Sequence, residues 1–348
     1  MPEKRSHSAE EILSQPQTWV QSLAALNQVG EDILPGGEGY EQILVTGCGS
    51  TYYLSVWAAQ VIQKVTGTMA RAVPASELWL FPENWLLRSR SHLLIAVSRS
   101  GSTSETIHAL EYFRNQGRGD HFVISCDPGS ELAALSDAAV FFPHAREKSI
   151  AQTRSFTNMM LGMSFLIEKQ VGQGVADRLS SRGTDMLSEF RGRIQDMGQD
   201  RNLKRFFFLG SGPRYGLACE AMLKMKEMSL SYSEAYHFLE FRHGPMSMVH
   251  DQSLVVGLLS KDNHRRELSV LKDMKELGGH ILALGNEQIT DPPTWIDHYI
   301  PIDFSGLGRY GDVLYLPLLQ SLALERALTV DLNPDKPNNL NAVVVLNE

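Results

Sequence analysis

Short apolar runs, each closed by a glycine- or serine-rich turn and followed by a stretch with helical periodicity, recur along this chain. Residues 42–46 run into Gly47-Cys48-Gly49-Ser50-Thr51 and then a helical stretch over about 53–66. Residues 93–97 lead through Ser98-Arg99-Ser100-Gly101-Ser102-Thr103-Ser104 into a helix over 105–116. Residues 121–125 precede Asp127-Pro128-Gly129 and a helix over 131–135, and residues 138–142 form a fourth strand before a helical stretch over 153–172. Strands alternating with helices predict parallel βαβ units with right-handed crossovers, an α/β fold. Ahead of them, residues 8–29 read as an amphipathic helix opened by a Ser8/Glu11 capping box, burying Ile12, Leu13, Trp19, Leu23 and Leu26, and ended by Pro35-Gly36-Gly37.

The second half repeats the order of the first. Residues 206–209 with Gly210-Ser211-Gly212 mirror 43–46 with Gly47-Cys48-Gly49. Residues 254–259, 280–284 and 297–302 mirror 93–98, 121–125 and 137–142, all at offsets near about 160 residues. The pattern predicts two tandem doubly wound parallel-sheet domains with helices on both faces: a helical lead-in over 1–35, a first domain over 36–180, a charged helical linker around 180–199, and a second domain with a C-terminal tail over 200–348. The copies differ at one turn. The second has Ser260-Lys261-Asp262-Asn263 where the first has its hydroxyl-rich segment, so only the first suits phosphate there.

Length supports two domains, since 348 residues exceed what one core usually holds. A net charge of −8 gives no broad basic face for a nucleic-acid backbone. A small phosphate monoester remains compatible, because one helix N-terminus and a few hydroxyls can hold it. Cys48, Cys126 and Cys219 lack C-x-x-C spacing, which fits a reducing compartment, and the acidic start at MPEKRSHSAEE lacks an apolar signal core. No run reaches the roughly 18 apolar residues of a membrane span. A cytoplasmic location, without membrane or nucleic-acid partner, is expected.

The turn from Ser98 to Thr103 combines hydroxyls, a glycine and a helix start, the ingredients of a phosphate site. Ser102 with Glu105 equally fits a plain capping box. Gly47-Cys48-Gly49-Ser50-Thr51-Tyr52 lacks the third glycine and the later acidic residue of a dinucleotide fingerprint, and no G-K-[ST] occurs. On a helix over about 217–230, Glu220, Lys224 and Glu227 share one face. They form either a solvated charge ladder or an acid/base centre, the latter favoured by the charged, aromatic loop Glu234-Ala235-Tyr236 and Glu240-Phe241-Arg242-His243-Gly244-Pro245 that follows. His237, His243 and His250 lack metal-ligand spacing, so neither a metal nor a cofactor is expected.

These motifs, in order over roughly residues 40–345, resemble the double sugar-isomerase (SIS) family, which includes the isomerase part of glucosamine-6-phosphate synthase. The most specific stretch is Ala221-Met222-Leu223-Lys224-Met225-Lys226-Glu227 through His243-Gly244-Pro245, followed by the Ser98 turn. The resemblance implies flavodoxin-like SIS domains that bind a sugar phosphate. It implies that Ser98, Arg99 (glutamine in the synthase), Ser100 and Thr103, with Ser50 and Thr51, hold the 6-phosphate. It further implies that Gly49 and Ile150-Ala151-Gln152-Thr153 line the sugar, Gln152 replacing a serine. Glu227 would shuttle a proton between C1 and C2 with Lys224 nearby. His243 would assist ring opening from a partner subunit, which implies a homodimer.

Two departures bear on the reaction. The synthase's glutaminase domain has no counterpart here, and the position of its imine-forming lysine is Ala342, with Asn338 at the position of its arginine. An alanine cannot form an imine. The resemblance therefore points away from glutamine-dependent aminotransfer and toward an isomerase/deaminase or deglycase acting on an amino-sugar or fructosamine 6-phosphate. A ketose/aldose-phosphate isomerase, a non-catalytic phosphosugar-binding regulator, and a replacement of the missing lysine by Lys336 are the alternatives.

Overall fold

The apolar runs form two sheets. The computed structural model describes residues 6–29, 39–87, 91–136, 138–286, 289 and 291–346. In the first sheet are β1 (Gln42–Gly47), β2 (Met69–Pro74), β3 (His92–Ser98), β4 (Gly119–Ser125) and β5 (Ala139–Phe141), ordered β2-β1-β3-β4-β5 and all parallel. The second holds β6 (Arg205–Gly210), β7 (Tyr232–Tyr236), β8 (Ser253–Leu258), β9 (His280–Asn286) and β10 (His298–Ile302), ordered β7-β6-β8-β9-β10, again parallel. The two orders are the same doubly wound order, so the repeat read from the sequence is a repeat of topology.

Strands β1, β3 and β8 are buried at every position. A strand with no exposed face must be covered on both sides, and helices supply the cover. In the first sheet Leu44, Leu94, Ala96 and Val123 pack against α4 (Ala75–Leu80) and α5 (Ser104–Gln116). The opposite face meets α3 (Ser50–Thr66) and α7 (Arg154–Glu168). In the second sheet Phe207, Leu209, Val255 and Ile281 pack against α10 (Phe238–Phe241) and α11 (His264–Glu276). The reverse face meets α9 (Arg214–Ser229), which packs against α12 (Leu316–Thr329).

The chain forms two compact units, and their boundaries interleave. The first unit comprises Gln17–Glu147, Arg154–Asp177 and Asn341–Glu348; the second comprises Met1–Pro16, Lys148–Thr153 and Arg178–Leu340. The charged helix expected around 180–199 is longer, α8 (Val175–Gln199). It belongs to the second unit from Arg178 onward, burying Met186, Leu187, Phe190, Ile194 and Met197 along one face. Arg182 adds an ion pair with Asp303 at 2.6 Å.

The amphipathic helix expected over 8–29 is two helices, α1 (His7–Leu13) and α2 (Gln15–Leu26), parted at Ser14. Its buried set is largely as expected, with Trp19, Leu23 and Leu26 wholly buried, each contributing about 1.5–3 kcal/mol. The capping box is not formed. Ser6 is the N-cap and accepts from the Ala9 amide, while Ser8 and Glu11 are buried and bond to distant segments. Two strands had no sequence signal: β2 and β7 lie at sheet edges and are only partly buried, so they carry no apolar run. The Glu234-Ala235-Tyr236 segment expected in a loop is the end of β7. Pro35-Gly36-Gly37 and Asp137 lie outside the described residues.

Candidate functional site

In the first sheet the chain leaves β1 toward one edge and β3 toward the other, and ligands of open α/β sheets bind at such a switch point beyond the strands' carboxyl ends. Both hydroxyl-bearing turns are there. After β1, Gly47 has no room for a side chain, since a Cβ would fall 2.5 Å from Thr51 Oγ1. The Cys48 amide donates to that hydroxyl, which donates back to the Cys48 carbonyl, both at 2.9 Å. Thr51 thus fastens the turn with its own proton. Gly49 turns the chain at φ +55° with open space around it, and Ser50, buried, opens α3. Burial pushes the Cys48 thiol up to about 11, so it is no nucleophile at neutral pH.

After β3 the hydroxyls are used differently. Ser98 Oγ accepts from the Gly101 amide at 3.1 Å, and Ser100 Oγ accepts from the Ser102 amide at 3.2 Å. Each is an acceptor in these bonds, so each hydroxyl proton remains available to an anion. Gly101 sits at φ +64°, and a Cβ there would lie 2.0 Å from Ser130 Oγ. Thr103 is the N-cap of α5 and makes no side-chain capping bond, which corrects the Ser102/Glu105 capping box: the helix starts one residue later. Ser102 instead donates to the Ser100 carbonyl at 3.3 Å, and Glu105 Oε2 is buried without a hydrogen-bond partner.

Arg99 belongs to this turn, but its guanidinium is engaged. Nη1 lies 3.4 Å from Glu147 Oε2 and Nη2 donates to the Ala342 carbonyl at 3.1 Å. The C-terminal segment continues over the start of α5, where Val344 accepts from the Ser104 amide at 3.3 Å and the Leu346 amide donates to Ser104 Oγ at 3.1 Å. In the second copy the matching turn is already filled. The Ser260 amide donates to Glu267 Oε2 at 2.6 Å, and burial raises the pKa of that carboxyl. An internal carboxylate occupies the turn that matches the hydroxyl-rich Ser98–Thr103 turn of the first copy.

The acid/base candidates lie on α9 in the second unit. Glu220 and Lys224 have wholly buried side chains, and Glu227 is 16% exposed. Lys224 Nζ is 3.4 Å from Glu220 Oε1 and in closer contact with Glu227 Oε2. Burial removes the solvated-ladder reading. One buried ammonium set between two carboxylates, one of them partly exposed, is an arrangement suited to proton transfer. His243 is exposed on the turn after α10, its amide donating to the Glu240 carbonyl at 2.9 Å, and it makes no hydrogen bond or ion pair with the α9 carboxylates. Lys336 is exposed too.

Ala151 and Gln152 lie in the Lys148–Thr153 segment of the second unit, Ala151 buried and Gln152 with a buried Oε1 that has no hydrogen-bond partner. Three residues that sequence reasoning missed hold this segment and its neighbour: Glu11, Asp335 and Glu147. Glu11 was read as a capping partner, and nothing in the local pattern marked the other two. Among the described residues no group of three or more His, Cys, Asp or Glu is placed to hold a metal, and no helix is long and apolar enough to cross a membrane.

Comparison with known proteins agrees with this layout. The family profile described as SIS domain matches residues 40–169 and 201–291. Glutamine–fructose-6-phosphate aminotransferase of Pyrococcus horikoshii is 28% identical over 316 residues, covering 86% of this chain and 51% of the relative. The chain spans about half the length of the curated relatives it matches. Among solved structures, glucosamine-6-phosphate deaminase of Thermotoga maritima is 26% identical with a TM-score of 0.77, over 98% of this chain and 100% of that one. Tagatose-6-phosphate ketose/aldose isomerase of Escherichia coli is 25% identical with a TM-score of 0.83, over 99% and 96%.

Proposed function

The chain belongs to the SIS domain family, and from that premise we propose that it is an enzyme that transfers a proton between C1 and C2 of an amino-sugar or fructosamine 6-phosphate. Its relatives are sugar-phosphate isomerases and deaminases, which supports the class of substrate. The observation that carries the reading is the buried Glu220–Lys224–Glu227 group, in which Glu227 alone keeps an exposed edge.

In this reading the Ser98, Ser100 and Thr103 hydroxyls, with Ser50 and the backbone of the Thr51-fastened turn, hold the phosphate. Arg99 contributes its backbone and the tie to Glu147, while Gly49, Ala151 and Gln152 border the sugar. Glu227 takes the proton from one of the two carbons and returns it to the other through an enamine-like intermediate. Lys224 steadies the carboxylate charge. An amino substrate then carries an imine, whose carbon adds water and releases ammonia or an amine, so that no oxidant or reductant is required. Because the substrate brings its own nitrogen, Ala342 in place of a lysine is no obstacle. The exposed His243, without a partner on α9, is in keeping with action from a second copy in a homodimer, and the free cysteines suit a cytoplasmic enzyme.

The test is Glu227→Gln assayed against a panel of amino- and keto-sugar phosphates, with solvent-deuterium exchange at C1 and C2. Loss of turnover and exchange with retained sugar-phosphate binding is expected; full activity overturns the assignment. A wild-type chain that binds tightly but neither turns over nor exchanges would instead support a regulatory binding protein. Borohydride trapping with a keto-sugar phosphate is expected to leave Lys336 unmodified.

A further inference from the structure

Among the described residues, Glu11 makes more contacts with one distant segment than a helix-start carboxylate needs. Its side chain is 3% exposed. Oε1 accepts from the Lys148 amide at 2.6 Å and from the Ser149 amide at 3.3 Å, and Oε2 accepts from the Ser149 hydroxyl. The same short segment is held at two further points of the second unit. The Ile150 amide donates to the Asp335 carbonyl at 3.0 Å, and Gln320 Nε2 donates to the Thr153 carbonyl at 3.2 Å. The holders are tied in turn to α1 and to the first residue of α2. Asp335 Oδ1 accepts from the Ser8 amide and hydroxyl, both at 2.7 Å, and Gln320 Oε1 accepts from Gln15 Nε2 at 2.8 Å.

Lys148–Thr153 follows directly on Glu147, the carboxylate that grips Arg99 of the phosphate turn, and it carries Gln152 with its unpartnered buried Oε1. A buried amide oxygen without a protein partner is uncommon, and a donor on a bound ligand would satisfy it as a water does. We infer that Glu11 is a positioning residue: it fixes the backbone of Lys148–Thr153 so that Gln152 presents its carboxamide oxygen to a hydroxyl or N–H donor on the substrate. The assignment rests on the sugar-phosphate reading given above. Glu11 touches no reacting atom. It acts through two amides and one hydroxyl, which its two carboxylate oxygens accept together.

The experiment uses the full chain with Glu11→Gln, Glu11→Asp, Ser149→Ala and Gln152→Ala. Amide hydrogen exchange at residues 148–150 is followed together with kcat, KM for the best sugar phosphate of the panel, inhibition by inorganic phosphate, and thermal midpoint. In Glu11→Gln the amides of Lys148 and Ser149 are expected to exchange faster and KM to rise about tenfold or more, as small displacements of positioning groups do. Inhibition by inorganic phosphate should stay within about twofold, because that anion needs only the Ser98 turn, to which none of these three Glu11 bonds runs. Glu11→Asp should recover part of the loss, and Gln152→Ala should reproduce the KM effect without the exchange effect. Wild-type exchange and kinetics in Glu11→Gln overturn the proposal, as does a KM that rises in step with loss of phosphate inhibition. If Glu11→Gln does not fold, Ser149→Ala decides: faster exchange at residues 148–150 with raised KM supports the assignment, and wild-type behaviour overturns it. A panel inert toward wild type sinks the sugar-phosphate reading, while the exchange measurement still decides whether Glu11 holds the segment.

Discussion

Glu147, whose side chain is wholly buried, lies 3.4 Å from the guanidinium of Arg99, itself only 11% exposed. The same carboxylate accepts from the amide and hydroxyl of Ser155, at 3.2 and 2.5 Å, at the start of α7. One acid therefore ties the Ser98–Thr103 turn to the helix that follows the fifth strand. Glu147→Gln removes the charge that faces the Arg99 guanidinium and is expected to destabilise the fold by about 2–4 kcal/mol, read from denaturant unfolding. Wild-type stability would mean the pair is incidental.

The division of labour among the turn's hydroxyls can be measured directly. Ser100 Oγ accepts from the Ser102 amide and Thr103 makes no capping bond, whereas exposed Ser102 donates to a neighbouring carbonyl. Ser100→Ala and Thr103→Val are each expected to weaken sugar-phosphate binding by about 1.5–3 kcal/mol, roughly 10- to 150-fold, the worth of a hydrogen bond to a charged group. Ser102→Ala should match wild type. Calorimetric titration with a sugar phosphate separates the three, and equal losses would contradict the distinction.

Gly101 is constrained twice, by its left-handed backbone and by Ser130 Oγ standing where a Cβ would go. Gly101→Ala is expected to cost about 1–3 kcal/mol of stability and to abolish phosphate inhibition, because relief of the clash displaces the amides on both sides. Ser130→Gly in the same background should restore some stability but not the backbone preference.

Acid should loosen the N-terminal helix first. Burial by itself would raise the Asp335 pKa, but hydrogen bonds from the Ser8 amide and hydroxyl and the His7 amide, with His7 nearby, outweigh it and hold the group below its ordinary 3.8. A depressed folded pKa means the unfolded chain takes up its proton first. The stabilisation is thus complete above 3.8 and is lost as the pH falls through the folded value. Asp335→Asn is expected to be less stable than wild type by about 1 kcal/mol near neutral pH, a cap's usual contribution, and the difference should shrink below about pH 4. A difference independent of pH would refute the sign.

Strands buried on both faces were legible in the sequence because an apolar run leaves no ambiguity, and the repeat in topology followed from their order. β2 and β7 were not, because these two edge strands are only partly buried and carry mixed polar and apolar residues. The candidate site divides in the same way. Ser98, Ser100, Thr103 and the Glu220–Lys224–Glu227 face were visible as local spacing. Glu11, Glu147 and Asp335 serve partners far away in sequence, and a lone carboxylate looks alike whether it faces water or a buried amide. Glu11 and Glu105 show the hazard, since each satisfies a capping spacing that the helix does not use.

The interleaved boundaries bear on inheritance. Each unit recruits pieces from stretches of chain that surround the other: Met1–Pro16 and Lys148–Thr153 serve the later sheet, and Asn341–Glu348 serves the earlier one. No single crossover in the coding sequence can exchange one copy for a foreign counterpart without severing one of these loans. The two copies also differ at the matching turn, which in the second copy is closed by Glu267 accepting from the Ser260 amide.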